Sequence, residues 1–270
     1  MTTFVAFWLG LVQGLTEFFP VSSSGHLVLF QHYFGIQEPQ LAFDVMVHLG
    51  TAAAVIAYTW PELKGIFSSL GRLPRWLANG ELKAAWAQNQ SLRLLAWLIV
   101  GSIPAGAVGV LFEDQLSAVF GNPAAVSCLL VVTGIILLAT DRTQGKKELG
   151  QMDAKGSFAV GLAQAVAVLP GISRSGSTIA AGLKAGLSRE AAAKYSFLLS
   201  LPAIIGAGLL QLNDLGAVTI SFSAMLVGFV TAAFSGYFAI RFLVQLLQRG
   251  KLRWFAYYCF AVGLISLVIL

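Results

Sequence analysis

Two polar stretches interrupt an otherwise apolar chain, and their residue types are suited to binding and transferring a phosphoryl group. The first covers residues 13–26 and reads Gln-Gly-Leu-Thr-Glu-Phe-Phe-Pro-Val-Ser-Ser-Ser-Gly-His. The second covers residues 169–178 and reads Leu-Pro-Gly-Ile-Ser-Arg-Ser-Gly-Ser-Thr. A charged side chain at the centre of a membrane helix costs roughly 2.5 to 3.5 kcal/mol on insertion scales. This density of polar groups therefore indicates a functional site.

Both stretches place a turn rich in glycine and serine at the start of a helix. A helix N-terminus presents free N–H groups and a partial positive charge to an anion. Arg174 adds a planar, permanently charged fork that suits phosphoryl oxygens. The other candidate phosphate-binding residues are Ser22, Ser24, Gly25, Gly171, Ser173, Ser175, Gly176, Ser177 and Thr178.

Ser23 and His26 are three residues apart on the helix that follows the first turn, so they share one face. A hydroxyl beside an imidazole is the minimal arrangement for an activated nucleophile with its general acid/base. The alternative is structural: the serines cap the helix and His26 binds a neighbouring group. Ser22, the first serine of the run, is the candidate for the cap.

Gln13 and Glu17 are four residues apart on the preceding helix and also share a face. Side-chain oxygens placed in this way can hold Mg²⁺ or Ca²⁺ beside a phosphate. A salt bridge from Glu17 to Arg174 is the competing interpretation, and the two roles are compatible. Asp44 and His48 have the same spacing, but their place near a helix start favours a supporting or interfacial role.

Composition identifies the chain as an integral membrane protein. Of its 270 residues, 57% are hydrophobic and 11% are charged, and the mean hydropathy is +0.79. Charged residues make up roughly 25% of soluble proteins. The length allows six or seven spans in a single polytopic domain over residues 1–270. The N-terminus lacks the basic residues of a cleaved signal peptide, and the net charge of +5 reflects membrane orientation rather than nucleic-acid binding.

The expected fold is all-α, with six transmembrane helices and two re-entrant helical hairpins. Each hairpin is a pair of short apolar segments interrupted by one of the polar stretches, a break tolerated only where protein or a polar cavity covers the backbone. Residues 61–90 mix charged residues with tryptophans and are predicted to lie on the membrane surface. The expected crossings are Leu41–Trp60, Leu92–Phe112, Ala118–Thr140, Ala191–Leu212, Val218–Leu243 and Trp254–Leu270.

An internal repeat relates the two hairpins. An offset of 151 residues places Gln13 on Gln164, Ser22 on Ser173 and Ser23 on Arg174. The predicted number of crossings between the hairpins is odd, so the repeats, approximately 1–140 and 156–270, are expected to insert in opposite directions and to meet at the midplane.

The distribution of basic residues predicts the orientation. With the crossings above, sixteen of the seventeen Lys and Arg residues fall on one side of the membrane, and the remaining one is Arg174. The opposite connectors, around Glu38, Glu113-Asp114 and Asp214, contain none. The positive-inside rule makes the basic side cytoplasmic and places both termini outside.

These motifs resemble those of the undecaprenyl-diphosphate phosphatases of the bacitracin-resistance type. The resemblance extends over nearly the whole chain and includes Phe-Asp-Val-Met-Val-His-Leu-Gly at residues 43–50 besides the two polar stretches. It implies a bacterial plasma-membrane hydrolase that removes the terminal phosphate of undecaprenyl diphosphate at the outer face. That activity recycles the lipid carrier of cell-wall synthesis and protects against bacitracin. The resemblance also implies a divalent-cation requirement.

The resemblance assigns a role to each candidate site residue. Glu17 matches the carboxylate linked to the metal, Ser23 the proposed nucleophile, His26 the general acid/base and Arg174 the phosphate-binding arginine. Gln13 stands where many members have glutamate, which removes one charge from the cation site. Attack by Ser23 or by an activated water, and a possible homodimer, are left open.

A secondary transporter, or a flippase for the prenyl phosphate, is the main alternative function, because inverted repeats with broken helices also build transport sites at the midplane. Release of phosphate by the purified protein distinguishes the two functions.

Overall fold

The protein is described from a computed structural model that covers residues 1–33, 41–211 and 220–270. Within these residues the fold is built from α-helices, as the sequence predicted, with one short 3₁₀ turn at Leu149–Gln151. The helices are α1 (Thr3–Phe18), α2 (Ser23–Tyr33), α3 (Leu41–Tyr58), α4 (Trp60–Ala78), α5 (Leu82–Gln88), α6 (Gln90–Leu111), α7 (Glu113–Phe120), α8 (Pro123–Thr140), α9 (Ala154–Val166), α10 (Arg174–Lys184), α11 (Arg189–Gln211), α12 (Phe222–Gln248) and α13 (Leu252–Ile269).

Five helices in the described residues are long and apolar enough to cross a membrane, and the bent pair of α3 and α4 makes a sixth candidate. The five are α6, α8, α11, α12 and α13. The six predicted crossings correspond to these helices and α3. The chain is therefore a multi-pass membrane protein.

Two boundaries of the predicted crossings, at Ala118 and Leu243, differ from the structure by five residues. The crossing predicted from Ala118 is split, because α7 ends at Phe120 and α8 starts at Pro123 after a cap by the Asn122 side chain. Pro at the first position of a helix supplies a fixed φ and needs no N–H partner. Helix α12 begins after the Ser221 cap and continues to Gln248. The ends predicted at Leu212 and Val218, and the connectors at Glu38 and Asp214, lie outside the described residues.

Helices α4 and α5 occupy the segment that was predicted to lie on the membrane surface. Helix α4 leaves α3 at an angle of 84°, so it does not continue along the axis of α3. It buries Leu63 and Ile66 and exposes Lys64 and Arg72. An apolar face opposite a basic face is typical of a helix lying in the membrane interface.

Two helix breaks correspond to the predicted hairpins. The first separates α1 from α2 at residues 19–22, and the second separates α9 from α10 at residues 167–173. Each break contains a proline, Pro20 or Pro170, which removes a backbone donor and ends the preceding helix. Helix α2 starts at Ser23, three residues after Pro20, and α10 starts at Arg174, four residues after Pro170, with Ser173 as its cap.

Close glycine contacts fix each broken helix against a spanning helix of the other half of the chain. A Cβ atom at Gly10 of α1 would lie 2.5 Å from the carbonyl oxygen of Gly228 in α12, and a Cβ at Gly161 of α9 would meet the carbonyl of Gly101 in α6. Gly10 and Gly161 are related by the 151-residue offset. Small residues at such crossings let helix backbones approach closely. Opposite insertion of the two halves stays a prediction.

Candidate active site

The two helix breaks contact each other in the interior of the protein. The Ser175 hydroxyl donates to the carbonyl oxygen of Phe19 at 3.1 Å, and a Cβ at Gly25 would lie 3.0 Å from Cα of Gly171. Gly171 has a φ of +96°, and Ser22 has a φ of +65°. A non-glycine residue in the left-handed region is uncommon and occurs often at functional sites. The predicted contact between the two breaks is therefore confirmed.

The N-termini of α2 and α10 are capped in the same way. The Ser22 hydroxyl accepts a hydrogen bond from the Gly25 N–H at 3.2 Å, and the Ser173 hydroxyl accepts one from the Gly176 N–H at 3.1 Å. The prediction of Ser22 as a helix cap is confirmed. The preceding N–H groups of each first turn have no partner within their helix, and they can serve an anion at the junction.

Glu17 lies at the centre of the junction and is only 9% exposed. Its Oε1 atom accepts a hydrogen bond from Nη2 of Arg174, which forms an ion pair between the two halves of the chain. Its Oε2 atom accepts from the Ser23 hydroxyl at 2.9 Å and from Nε2 of Gln13 at 3.0 Å. His48 of α3 places Nε2 at 3.9 Å from the same oxygen. The predicted salt bridge is confirmed, and it coexists with contacts to the other candidates.

Arg174 keeps one donor available. Its Nη1 atom is buried and has no hydrogen-bond partner among the described residues, although Nη2 binds Glu17. A small cavity of about 40 Å³ lies beside it. Its lining residues are Thr16, Glu17, Ser22, Ser23, Ser24, Ala167, Ile172, Ser173 and Arg174.

His26 is buried but is not paired with Ser23. Its Nδ1 atom lies 2.8 Å from the carbonyl oxygen of Ser22, and its Nε2 atom lies 2.8 Å from the hydroxyl of Tyr258. Because a carbonyl only accepts, Nδ1 carries the hydrogen and Nε2 accepts from the tyrosine. The expected pairing of the Ser23 hydroxyl with the His26 imidazole is therefore wrong. The Ser23 hydroxyl donates to the Glu17 carboxylate instead, and the first turn of α2 directs the His26 ring to the Ser22 carbonyl.

The other predicted phosphate-binding residues fall into two groups. Ser24 and Ser173 line the cavity with Ser22. The remaining ones form the packed junction behind it, where the Thr178 hydroxyl donates to the Arg174 carbonyl at 2.7 Å. These packed residues are Gly25, Gly171, Ser175, Gly176, Ser177 and Thr178.

Two supporting residues were missed by the sequence reasoning. Thr133 of α8 donates to the Gly171 carbonyl at 2.8 Å and accepts from the Ser173 N–H at 3.0 Å. It thereby holds the second break in place. Tyr258 holds His26. A threonine in the middle of the apolar run of α8 was a visible signal, whereas a tyrosine of the last helix gave none.

The second half of the chain does not repeat the acidic centre. The offset puts Val168 at the position equivalent to Glu17, and Gln164 at that of Gln13. Gln164 is 2% exposed, and within the described part of the chain neither polar atom of its amide has a hydrogen-bond partner. The two halves therefore build one acidic site rather than two.

The side chains around Glu17 are suited to a hard divalent cation. Oxygen ligands that are neighbours on an octahedral Mg²⁺ at about 2.1 Å lie about 3.0 Å apart, and the Gln13 amide lies 3.0 Å from the Glu17 oxygen. Rotation of the Gln13 amide group by about 180° would present its oxygen in place of the Nε2 donor. Among the described residues, no three His, Cys, Asp or Glu side chains form a metal cluster, so such a site depends on the amide.

Comparison with known proteins gives a consistent result. Residues 6–265 match the family described as "Bacitracin resistance protein BacA". A protein named undecaprenyl-diphosphatase from Halothermothrix orenii is 42% identical, over 100% of this chain and 98% of its own. Proteins of the same name from Desulforapulum autotrophicum and Methanobrevibacter smithii are 46% and 44% identical, with 96% and 95% of this chain covered and 95% and 94% of theirs.

Thr133→Val tests the support of the second break. The change removes both hydrogen bonds to residues 171–173 and leaves buried backbone groups unpaired, which costs about 1 to 3 kcal/mol each. We expect kcat/KM for a prenyl diphosphate to fall about tenfold or more in detergent. Thr140→Val is the matched control, because the Thr140 hydroxyl bonds only within its own helix. Equal effects of the two changes would contradict this role of Thr133.

Proposed function

The chain belongs to the bacitracin resistance protein BacA family, and from this membership we propose how its residues act on their substrate. It is an integral membrane hydrolase that converts undecaprenyl diphosphate to undecaprenyl phosphate and inorganic phosphate. Family membership also connects it with cell-wall synthesis and with resistance to bacitracin. The relatives favour this activity over a transporter or flippase.

The proposed substrate site is the junction of the two helix breaks. The terminal phosphate binds to the free N–H groups at the start of α2 and α10 and to the unpaired Nη1 of Arg174. Helix N-termini and arginine forks are the protein groups best suited to phosphoryl oxygens. The prenyl chain remains in the lipid, beside the exposed apolar faces of the helices.

The charges of the site support a divalent cation. The charges of Glu17 and Arg174 cancel in their ion pair, so little positive charge is left for a diphosphate. We propose that Glu17 and Gln13 hold Mg²⁺ or Ca²⁺. The bound cation would neutralise negative charge on the phosphate oxygens. Gln13 contributes no charge, so binding depends on the substrate's own negative charge more than in a site with two carboxylates.

Ser23 is the proposed nucleophile. Its hydroxyl donates to Glu17 Oε2 at 2.9 Å, so the carboxylate can accept the proton as the Ser23 oxygen bonds to the terminal phosphorus. The bond from that phosphorus to the bridging oxygen breaks, and undecaprenyl phosphate leaves. A phosphate monoester has its second pKa near 6, so this leaving group needs no acid. Water then attacks the phosphoserine, the bond from phosphorus to the Ser23 oxygen breaks, and Glu17 returns its proton to that oxygen, while the water's own protons leave with inorganic phosphate and solvent.

Arg174 stabilises the transferring group. Phosphoryl transfer depends mainly on positioning and on electrostatic stabilisation of the equatorial oxygens. The ion pair with Glu17 fixes one side of the guanidinium group, which leaves the other side oriented before substrate binds. A group oriented in advance needs no reorganisation during the reaction.

His26 is proposed as a positioning residue instead of the general acid/base that the sequence suggested. It binds the carbonyl of Ser22, the residue with the positive φ. Tyr258 binds the other ring nitrogen. His26 therefore holds the turn that directs Ser23 toward Glu17.

The proposed orientation places the site toward the outer face of the plasma membrane, with both termini outside. The one-sided distribution of Lys and Arg supports it. A homodimer is not required by this proposal, because all the proposed site residues come from one chain.

The contacts of Glu17 with both Ser23 and Arg174 carry the catalytic proposal, and substitutions of Ser23 and Arg174 test it. We expect Ser23→Ala to lower phosphate release by about 100-fold or more, since the nucleophile is lost. Arg174→Lys keeps the charge but loses the fork, and we expect a loss of about 10-fold or more. Release is measured with purified protein and a prenyl diphosphate.

Ser223→Ala, at an exposed serine of α12, is the control and should retain full activity. Normal release by Ser23→Ala would exclude Ser23 as the nucleophile. A wild-type protein that moves prenyl phosphate across vesicles but releases no phosphate would instead support the transporter.

The role of His26 is tested by comparing His26→Ala with His26→Asn. We expect His26→Ala to lower kcat by about 10- to 100-fold. The loss should be much smaller in His26→Asn, because the asparagine amide can still donate to the Ser22 carbonyl. The acidic and basic limbs of the pH profile should keep their positions in His26→Asn. A pH profile that loses one limb in both variants would identify His26 as the general acid/base.

A further inference from the structure

His48 contacts the acidic centre from a third element of the fold. Its Nδ1 atom lies 2.7 Å from the Asp44 carbonyl oxygen, one turn earlier in α3. A carbonyl can only accept a hydrogen bond, so in the neutral ring Nδ1 carries the hydrogen and Nε2 has a free lone pair. That lone pair lies 3.9 Å from Oε2 of Glu17.

The separation of these two atoms suggests a positive species between them. At 3.9 Å, Nε2 and the carboxylate oxygen are too far apart for a hydrogen bond, and both are electron-rich. Two ligands of one cation, each about 2.1 Å from it, lie between about 3.0 and 4.2 Å apart as the angle between them opens. The observed distance falls within this interval.

The neighbouring contacts indicate which carboxylate oxygen is involved. Oε1 of Glu17 binds Arg174, whereas the Ser23 hydroxyl, the Gln13 amide and His48 are all near Oε2. A nitrogen ligand fixed by a hydrogen bond from its other ring nitrogen to a carbonyl is the usual arrangement of a metal-binding histidine.

We propose that His48 is a ligand of the divalent cation, completing a site with Glu17 and Gln13. The inference rests on the proposed function, which places a cation at Glu17. It adds an imidazole where Gln13 removes a charge, and it changes the expected preference. Imidazole binds transition metals better than Mg²⁺ or Ca²⁺, so the site should bind Mn²⁺ more tightly than Ca²⁺.

Pulsed electron paramagnetic resonance of bound Mn²⁺ tests the proposal without any turnover. The purified full-length protein in detergent is titrated with Mn²⁺, and the electron spin echo is examined for modulation by a directly bound ¹⁴N nucleus. We expect this modulation in the wild type. Both His48→Ala and His48→Gln should lose it. The affinity for Mn²⁺ should fall about tenfold or more in His48→Ala, and less in His48→Gln, whose amide oxygen can still bind the ion.

The other two histidines of the chain, His26 and His32, provide matched controls. His26→Asn and His32→Asn should keep the nitrogen modulation, as should Ser23→Ala, which tests the nucleophile separately. If Ser23→Ala remains active while the modulation depends on His48, the catalytic proposal fails and the metal site stands. Three results would overturn the proposal. Mn²⁺ does not bind, it binds without nitrogen modulation, or the modulation persists in His48→Ala. Binding without modulation would make His48 a charge partner of Glu17.

Discussion

The ion pair between Glu17 and Arg174 is the interaction on which the rest of the site depends. It joins the end of α1 to the start of α10, two segments separated by more than half the chain. Breaking a buried ion pair on one side leaves an uncompensated charge, which typically costs 3 to 5 kcal/mol. The ion pair therefore couples the positions of the two helix breaks. Ser23 is placed against Glu17 by the same carboxylate that holds the arginine.

A nearly symmetric frame carries an asymmetric chemistry. Ser22 and Ser173 cap equivalent helices with equivalent bonds, and Gly10 and Gly161 make equivalent crossings. The charged groups differ: Glu17 has Val168 as its equivalent, and Ser23 has Arg174. One half thus supplies the carboxylate and hydroxyl, and the other supplies the cationic fork. This division of roles explains how two similar hairpins form a single hydrolytic site.

Much of this arrangement was visible in the sequence because hydrophobic length and proline breaks are local signals. Pro20, Pro170 and the apolar runs predicted the spans and breaks, and the repeat predicted that the two breaks would meet. The partners of His26 were not predictable, because Tyr258 is 232 residues away and no periodicity links them. Thr133 and His48 reach the site from spanning helices, and their contacts depend on how those helices pack. Local sequence therefore gives the groups present, and packing decides which of them touch.

The most direct measurement is a double-mutant cycle on Glu17 and Arg174, using unfolding in mixed detergent micelles as the readout. Glu17→Gln and Arg174→Gln each leave one buried charge without its partner, so each should destabilise the protein strongly. The double variant removes both charges and should be more stable than the sum of the single effects predicts, with a coupling energy of at least about 1 kcal/mol. Strictly additive effects would contradict the account, because they would mean that the two halves of the site do not hold each other in place.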